Sequence, residues 1–165
     1  MFITGLGTAA PGQRYSQHDC WEAIRNANPF SRLAPRSRAI LKKVLCSDNG
    51  IAARHLALDP LEEAFNLTPD ALHSRFIKHA PTLATAAARH ALQDARVAPD
   101  AIDAILVSTC TGYLCPGLTS YVGEQLGLRP DVFTLDLVGQ GCGATLPNLR
   151  TADALLAAGR ANHVL

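Results

Sequence analysis

Residues 136–148, DLVGQGCGATLPN, place a cysteine between two glycines at a point where a strand gives way to a helix. The apolar run VFTLDLV leads into this stretch, and the helical pattern TLPNLRTADALLAAGR follows it. Further upstream, AIDAILVST reads as a strand and GLTSYVGEQLG as a helix that ends at Gly127. This alternation of strands and helices predicts an α/β fold with a mostly parallel, mixed sheet covered by helices.

The α/β order gives Cys142 a chemical setting. In open α/β sheets the ligand crevice lies at the carboxyl ends of the strands, where the following helices begin. A helix N-terminus favours a thiolate, and such placement lowers a cysteine pKa from about 8.5 to roughly 3.5–7.5. Gly141 and Gly143 permit a sharp turn and leave the thiol accessible, and the Cys142 N–H is a candidate oxyanion donor. We therefore predict a nucleophile; the alternative is a buried structural cysteine beside packing glycines.

Composition excludes several classes of protein. The chain has 165 residues, is 48% hydrophobic and has a net charge of +1, which argues against a nucleic-acid binder and against disorder. No apolar run approaches the roughly 18 residues of a membrane helix, and the N-terminus lacks the pattern of a signal peptide. Because the cysteines show no disulfide rhythm, we expect reduced thiols and a cytoplasmic location. The five cysteines are Cys20, Cys46, Cys110, Cys115 and Cys142.

The rest of the chain gives a coarse series of elements. FITGLG near the N-terminus predicts a short buried strand, stopped by a Gly/Pro turn. Helices are predicted from Gln17 to Asn28, over residues 31–46, and from the Thr68-Pro69-Asp70 start to about Arg96, with Pro81 as a place where the last helix could break. IAARHLAL, residues 51–58, is ambiguous between helix and strand.

Two stretches carry a family resemblance. GQGCGATLPNL and STCTGYLCPGLTSYVGEQLGLRPDV closely resemble the type III polyketide synthases, the chalcone and stilbene synthase group, and GTAAP and the pair Arg54-His55 also fit. The resemblance covers residues 1–165 but only the first half of that family's length. It implies an N-terminal, thiolase-like half-domain that stops within a strand, and a homodimer. It also implies that Cys142 carries the acyl chain while an acyl-CoA starter is condensed with malonyl-CoA, without a carrier protein, cofactor or metal.

The resemblance also assigns residues around the nucleophile. Cys110 and Thr111 fall where the family lines the pocket, and Cys115 falls where plant members place a methionine that reaches into the partner's cavity. The alternatives stay open: Cys110 as a small core residue at a strand end, and Cys115 as a loop thiol. A zinc site built on these two cysteines is disfavoured, because their spacing is wrong and no second pair exists.

Coenzyme A binding is a further implication of the resemblance. The family holds the CoA phosphates with basic residues near positions 41–48. The strictly aligned residues here are Leu41, Val44 and Asp48. Lys42 and Lys43 are adjacent and are the candidates, with Arg38 a turn away. A basic helix face is also compatible with simple solvation.

Only one histidine, His163, follows Cys142. Nucleophilic cysteines need a base or cation partner within hydrogen-bond reach, and the family's catalytic histidine and asparagine lie far downstream. We therefore predict that this chain alone does not condense substrates. Two other functions stay open, a ketoacyl-carrier-protein synthase III type of condensing enzyme and a noncatalytic thiolase-like module for dimerisation. The Ala-rich helix and SYVGEQLGL are predicted to offer surfaces for the homodimer.

Overall fold

The computed structural model describes all residues from 1 to 165, and the chain divides into two compact units. The smaller unit comprises residues 10–72, and the larger unit comprises residues 1–9 and 73–165. The expectation of one thiolase-like domain over residues 1–165 stays a prediction. No helix combines the length and the apolarity that crossing a membrane requires.

The smaller unit is a set of short helices beside a two-stranded antiparallel sheet. Its elements are β1 (Arg14–Ser16), α1 (Gln17–Asn26), α2 (Asn28–Ser31), α3 (Pro35–Cys46), β2 (Ala53–His55) and a 3₁₀ turn (Leu61–Phe65). A capping box starts α1, because the Ser16 hydroxyl accepts the Asp19 N–H and the Asp19 carboxylate accepts the Ser16 N–H. Trp21 is buried in the core of this unit and meets Phe30 edge to face, at a centroid distance of 5.5 Å.

The larger unit contains the predicted α/β alternation. Its elements are α4 (Pro69–Ala95, within this unit from His73), β3 (Ala104–Thr109), α5 (Leu118–Leu126), β4 (Phe133–Val138) and α6 (Thr145–Ala157). Two 3₁₀ turns, Pro99–Ala101 and Gly141–Ala144, precede β3 and α6. β3 and β4 pair in parallel, from Ala104 opposite Phe133 to Thr109 opposite Val138.

The core of the larger unit lies where α4 and α5 pack on β3. Ile105, Leu114, Leu118 and Val122 are buried there. The half-buried alanines Ala80, Ala84 and Ala88 of α4 pack against this cluster. Small side chains let the helix approach the sheet closely, so the Ala-rich face of α4 is internal. The predicted use of the Ala-rich helix and of α5 as exposed surfaces is therefore wrong.

The N-terminal segment differs from the prediction. FITGLG is not a buried strand: residues 1–10 form no regular element, and Phe2 and Ile3 are 91% and 76% exposed. The segment instead lies against α4, where a Cβ at Gly5 or Gly7 would overlap the helix backbone. The Leu6 N–H donates to the Asp94 carboxylate at 2.9 Å. A strand needs a hydrogen-bonded neighbour, and the neighbour of this segment is a helix.

The structure also decides the predictions for Pro81, for IAARHLAL and for the HVL terminus. α4 runs without a break through Pro81, which is buried within it. IAARHLAL contains β2, whose identity as a strand depends on its antiparallel partner β1. The HVL terminus begins a strand, since Val164 bridges Ala104 in parallel and the Leu106 N–H donates to the Leu165 carbonyl at 2.9 Å.

Candidate active site

The carboxyl ends of β3 and β4 meet at one edge of the sheet. Thr109 lies opposite Val138 at the last register position, and the Gly139 N–H reaches the Thr109 carbonyl at 3.4 Å. Cys110 follows β3 directly, and Cys142 follows β4 by four residues. Both thiols are exposed. The structure therefore brings the predicted nucleophile and a predicted pocket residue to the same edge, where α/β sheets bind ligands.

The turn that carries Cys142 is built on left-handed backbone positions. Gly139 and Gly141 have φ angles of +81° and +65°, which L-residues with a side chain rarely adopt. The chain then forms the 3₁₀ turn Gly141–Ala144 and enters α6 at Thr145. Gly141 fits the predicted need for a special φ angle. Gly143 does not, since its φ angle is not left-handed and a Cβ there would meet open space.

The backbone around Cys142 leaves donors free. Cys142 is the second residue of the 3₁₀ turn, a position whose N–H has no acceptor within the helix. No acceptor elsewhere in the chain takes this N–H. The α6 N-cap, Ala144, offers no side-chain acceptor. The Cys142 N–H is therefore unpaired, and its use as an oxyanion donor stays a prediction.

The segment from Cys110 to Gly117 starts at this edge, directly after β3, and leads to α5. The Thr109 Oγ1 donates to the Gly112 carbonyl at 2.9 Å, and the half-buried Phe76 ring of α4 occupies the space where a Cβ at Gly112 would lie. Leu114, only 3% exposed, anchors the segment in the core. The three predicted pocket residues in this segment, Cys110, Thr111 and Cys115, are exposed.

One residue of this site was missed by the sequence analysis. The carboxylate of Asp136, in the middle of β4, accepts the Thr119 N–H at 3.2 Å and the Thr119 hydroxyl. A Cβ at Gly117 would overlap the same carboxylate. The available signal was a single charge inside the apolar run VFTLDLV, since a half-buried carboxylate in a strand needs hydrogen-bond donors.

No histidine of the chain forms a hydrogen bond with Cys142. The backbone of His163 joins the amino end of β3, where its carbonyl accepts the Asp103 and Ala104 N–H groups. Cys142 lies beyond the carboxyl end of the same strand pair. At about 3.3 Å per residue, the six residues of β3 separate these two ends by about 17 Å. The His163 ring therefore does not reach the Cys142 thiol, and the His90 ring is engaged with the Thr8 carbonyl at 2.8 Å.

The predicted CoA-phosphate residues belong to the smaller unit. Lys42 and Lys43 are exposed on α3. Arg38 is committed elsewhere, because its guanidinium donates to the Leu33 and Ser31 carbonyls at 2.8 and 2.6 Å and lies over the Phe30 ring. Among the basic residues that the sequence analysis placed here, only the two lysines remain candidates for phosphate binding.

A cavity of about 610 Å³ lies elsewhere in the larger unit, and none of the predicted site residues lines it. Its walls come from residues 1–5, the end of α4, the inner face of α6 and residues 162–165. Asn148 of α6 lies among the lining residues, and its Oδ1 is buried without a hydrogen-bond partner. The candidate active site is therefore an open edge rather than this cavity.

Comparison with known proteins identifies the family of this chain. The profile of the family described as FAE1/type III polyketide synthase-like protein matches residues 13–165. The chain belongs to this type III polyketide synthase-like family. The alpha-pyrone synthesis polyketide synthase-like protein Pks18 of Mycobacterium tuberculosis is 30% identical to it over 156 residues, which are 91% of this chain and 38% of that protein. A beta-ketoacyl-[acyl-carrier-protein] synthase III of Streptomyces coelicolor is 30% identical over 165 residues, 99% of this chain and 39% of that protein.

Solved structures confirm the fold. The crystal structure of a fungal type III polyketide synthase, ORAS, superimposes with a TM-score of 0.76 at 30% identity, covering 93% of this chain and 40% of that one. A polyketide synthase of the brown alga Ectocarpus siliculosus shares the fold, with a TM-score of 0.78. The predicted thiolase-like α/β fold is thereby confirmed. This chain spans about two fifths of the length of these polyketide synthases.

Proposed function

We propose that this chain is the nucleophile-bearing half of a condensing acyltransferase that joins an acyl-CoA starter to malonyl-CoA by decarboxylation. The observation that carries the proposal is the position of Cys142. Its exposed thiol and free N–H stand at the carboxyl edge of the parallel pair β3–β4, in a chain of the type III polyketide synthase-like family. The proposed pocket is formed by Cys110, Thr111, Cys115, Gly141 and Gly143.

The proposed chemistry has two steps. The Cys142 thiolate attacks the carbonyl of the starter thioester, the bond to the CoA sulfur breaks, and CoA leaves as a thiol after taking a proton. Malonyl-CoA then loses CO₂, and the resulting enolate attacks the Cys142 thioester. A carbon–carbon bond forms and the Cys142 thiolate is released. In both steps the Cys142 N–H supports the carbonyl oxygen as it becomes negative. CoA thioesters are the substrates, and the proposal needs no further cofactor.

Acylation of Cys142 is the direct test of the first step. Incubation with hexanoyl-CoA, followed by intact and peptide mass analysis, is expected to place one hexanoyl group on Cys142, because thioester exchange needs only an accessible thiolate. Cys142→Ala should abolish the adduct, while Cys46→Ala, at an exposed thiol of the smaller unit, should leave it. An adduct on Cys46 instead of Cys142 would contradict the assignment.

The second step needs groups that this chain does not bring to Cys142. We predict no malonyl-CoA decarboxylation or condensation by the isolated chain, measured as CO₂ release and product formation. Addition of the C-terminal half of a full-length type III synthase should restore turnover, and the same mixture with Cys142→Ala should stay inactive. Robust condensation by the 165-residue chain alone would overturn this part of the proposal.

A second candidate is a condensing enzyme that takes malonyl groups from a carrier protein. The similarity to a beta-ketoacyl-[acyl-carrier-protein] synthase III over 99% of this chain favours it. The two candidates differ in the extender, so the restored mixture should be supplied in parallel with malonyl-CoA and with a malonyl-carrier protein. We expect turnover with malonyl-CoA; turnover with the carrier protein alone would favour the second candidate.

Substrate binding and location complete the proposal. Lys42 and Lys43 are proposed to bind the CoA phosphates. A Lys42→Ala/Lys43→Ala double variant should weaken hexanoyl-CoA acylation more than acylation by a short thioester without phosphates.

A nucleophilic thiol must stay reduced, so we propose a cytoplasmic location, and we propose a homodimer as the assembled state.

A further inference from the structure

We infer that Asp136 is a positioning residue of the candidate active site: through Thr119 it holds the Cys110–Gly117 segment beside the turn that carries Cys142. The inference rests on the proposed function, which assigns that segment to the acyl pocket.

The contact between Asp136 and Thr119 joins two distant parts of the larger unit. Asp136 is half-buried on β4, with its Cα paired to Val107 of β3. Its carboxylate accepts both the N–H and the hydroxyl of Thr119, a side chain that is 2% exposed. An acceptor that takes two hydrogen bonds from the same buried residue holds that residue in one position. The start of α5 is therefore fixed to β4 rather than to its own loop.

The sequence around Gly117 does not indicate where the first N–H groups of α5 find an acceptor. Gly117, the N-cap of α5, has no side chain to accept the free N–H groups of the helix. Asp136 supplies the missing acceptor from 17 residues away, and its carboxylate occupies the space beside the Gly117 Cα. The position of the segment that ends at Gly117 is therefore tied to β4, and Cys142 lies six residues after Asp136 in the sequence.

The consequence for substrate concerns the acyl chain rather than the thiol. The Cys142 turn is fixed by its own backbone, through Gly139 and the 3₁₀ turn. Cys110, Thr111 and Cys115 sit on the segment whose far end depends on Asp136. Loss of the Asp136–Thr119 contact should then leave the Cys142 thiol reactive. The same loss should displace the Cys110–Gly117 segment, along which the acyl chain is proposed to lie.

Two electrophiles separate thiol reactivity from alkyl-chain binding. Iodoacetamide needs only the thiol, whereas N-octyl-iodoacetamide also needs the Cys110–Gly117 segment to hold its alkyl chain. Rates at Cys142 are read by peptide mass mapping, with the exposed Cys46 of the smaller unit as internal reference. In the unaltered chain we expect the octyl reagent to be preferred at Cys142 relative to Cys46. Thr119→Val, which keeps the shape but removes the hydroxyl, should lower this preference roughly tenfold, and Thr119→Ser should keep it. Asp136→Ala removes the acceptor of both the Thr119 hydroxyl and the Thr119 N–H, so it should lower the preference at least as far, and adding Thr119→Val to it should lower the preference no further.

The outcomes distinguish failure of the inference from failure of the proposed function. If the unaltered chain shows no octyl preference at Cys142, the pocket assignment fails and the inference fails with it. If the preference exists and survives in both Thr119→Val and Asp136→Ala, the inference alone is overturned. A fall in the iodoacetamide rate at Cys142 equal to the fall in the octyl rate would also overturn it, because a merely structural role predicts that pattern. Circular dichroism melts of each variant confirm that the comparison is made on folded chains.

Discussion

At the scale of single residues, Cys142 and Cys20 occupy opposite environments. Cys142 is exposed on a turn with a free backbone N–H, whereas Cys20 is 6% exposed in the core of the smaller unit. Burial is the main cause that raises the pKa of the Cys20 thiol, so less of it is thiolate at neutral pH.

We therefore expect iodoacetamide to modify Cys142 first among the five cysteines and Cys20 last, as read by peptide mass mapping of the folded protein. The denatured chain is the control, since accessibility differences vanish there. Faster modification of Cys20 or Cys46 than of Cys142 in the folded protein would count against the nucleophile.

Gly141 and Gly143 flank the same thiol but differ in backbone conformation. Gly141→Ala forces a side chain into a left-handed position, so we expect it to lower the free energy of unfolding by about 1–2 kcal/mol and to slow Cys142 modification. Gly143→Ala is the matched control and should change stability little, because its φ angle is not left-handed and the added Cβ meets open space. Urea denaturation of both variants checks this, and equal losses would refute the distinction.

The residues near Cys142 could be predicted because their signal is local. A cysteine between glycines, after an apolar strand and before a helix, is contained within residues 133–157. The Asp136–Thr119 contact joins residues 17 apart, and no short pattern announces it. The wrong expectation for Gly143 has a related origin, since a glycine in the sequence does not say which φ angle the turn requires.

At the scale of elements, Asp103 connects three parts of the larger unit just before β3. Its carboxylate accepts the Asn162 and His163 N–H groups at 2.7 and 3.2 Å, and Arg129 pairs with it at 3.0 Å. These backbone hydrogen bonds, together with Arg129, lower the pKa of Asp103 to about 2. The ionised carboxylate therefore stabilises the folded state at neutral pH.

Asp103→Asn should lower the melting temperature at pH 7. Because the folded pKa lies below the unfolded value of about 3.9, this stabilisation is present above that value and is lost as the pH falls through about 2. The difference between the two proteins should thus narrow between about pH 4 and pH 2 in thermal melts. Asp131→Asn removes the more exposed partner of the same arginine and should have little effect at any pH. A difference in melting temperature that does not change with pH would contradict this account.

Elements with their own periodicity were predicted well, and those defined by a distant neighbour were not. β3, β4 and α5 matched, and α5 ends at Gly127 with φ +67° as the sequence indicated. β1 and β2 have three residues each and exist only through their mutual pairing. FITGLG is apolar enough for a strand, yet its partner is the backbone of α4, which offers no ladder of hydrogen bonds.

At the scale of the whole molecule, β4 has an open side. It pairs only with β3, and Phe133 and Val138 at its two ends are 47% and 40% exposed. An unpaired strand edge with exposed apolar side chains favours association with another chain. We therefore expect the homodimer to form through this edge and not through the Ala-rich helix.

We expect sedimentation velocity at micromolar concentration to show a dimer or a larger species. Val138→Lys should shift the profile toward monomer, since a lysine on a strand edge opposes pairing. Val44→Lys places the same charge at a residue of similar exposure on α3 and should not shift it. A purely monomeric profile of the unaltered protein would contradict the homodimer.

The single tryptophan of the chain, Trp21, is buried in the smaller unit, against Phe30. Tryptophan fluorescence, excited at the red edge of the indole band, therefore reports on residues 10–72. It does not report on the unit that holds Cys142. A screen by tryptophan emission alone would register active-site variants as intact even when β3 and β4 had melted. A tryptophan introduced at Tyr121, half-buried beside the core of the larger unit, would give that unit an emission of its own.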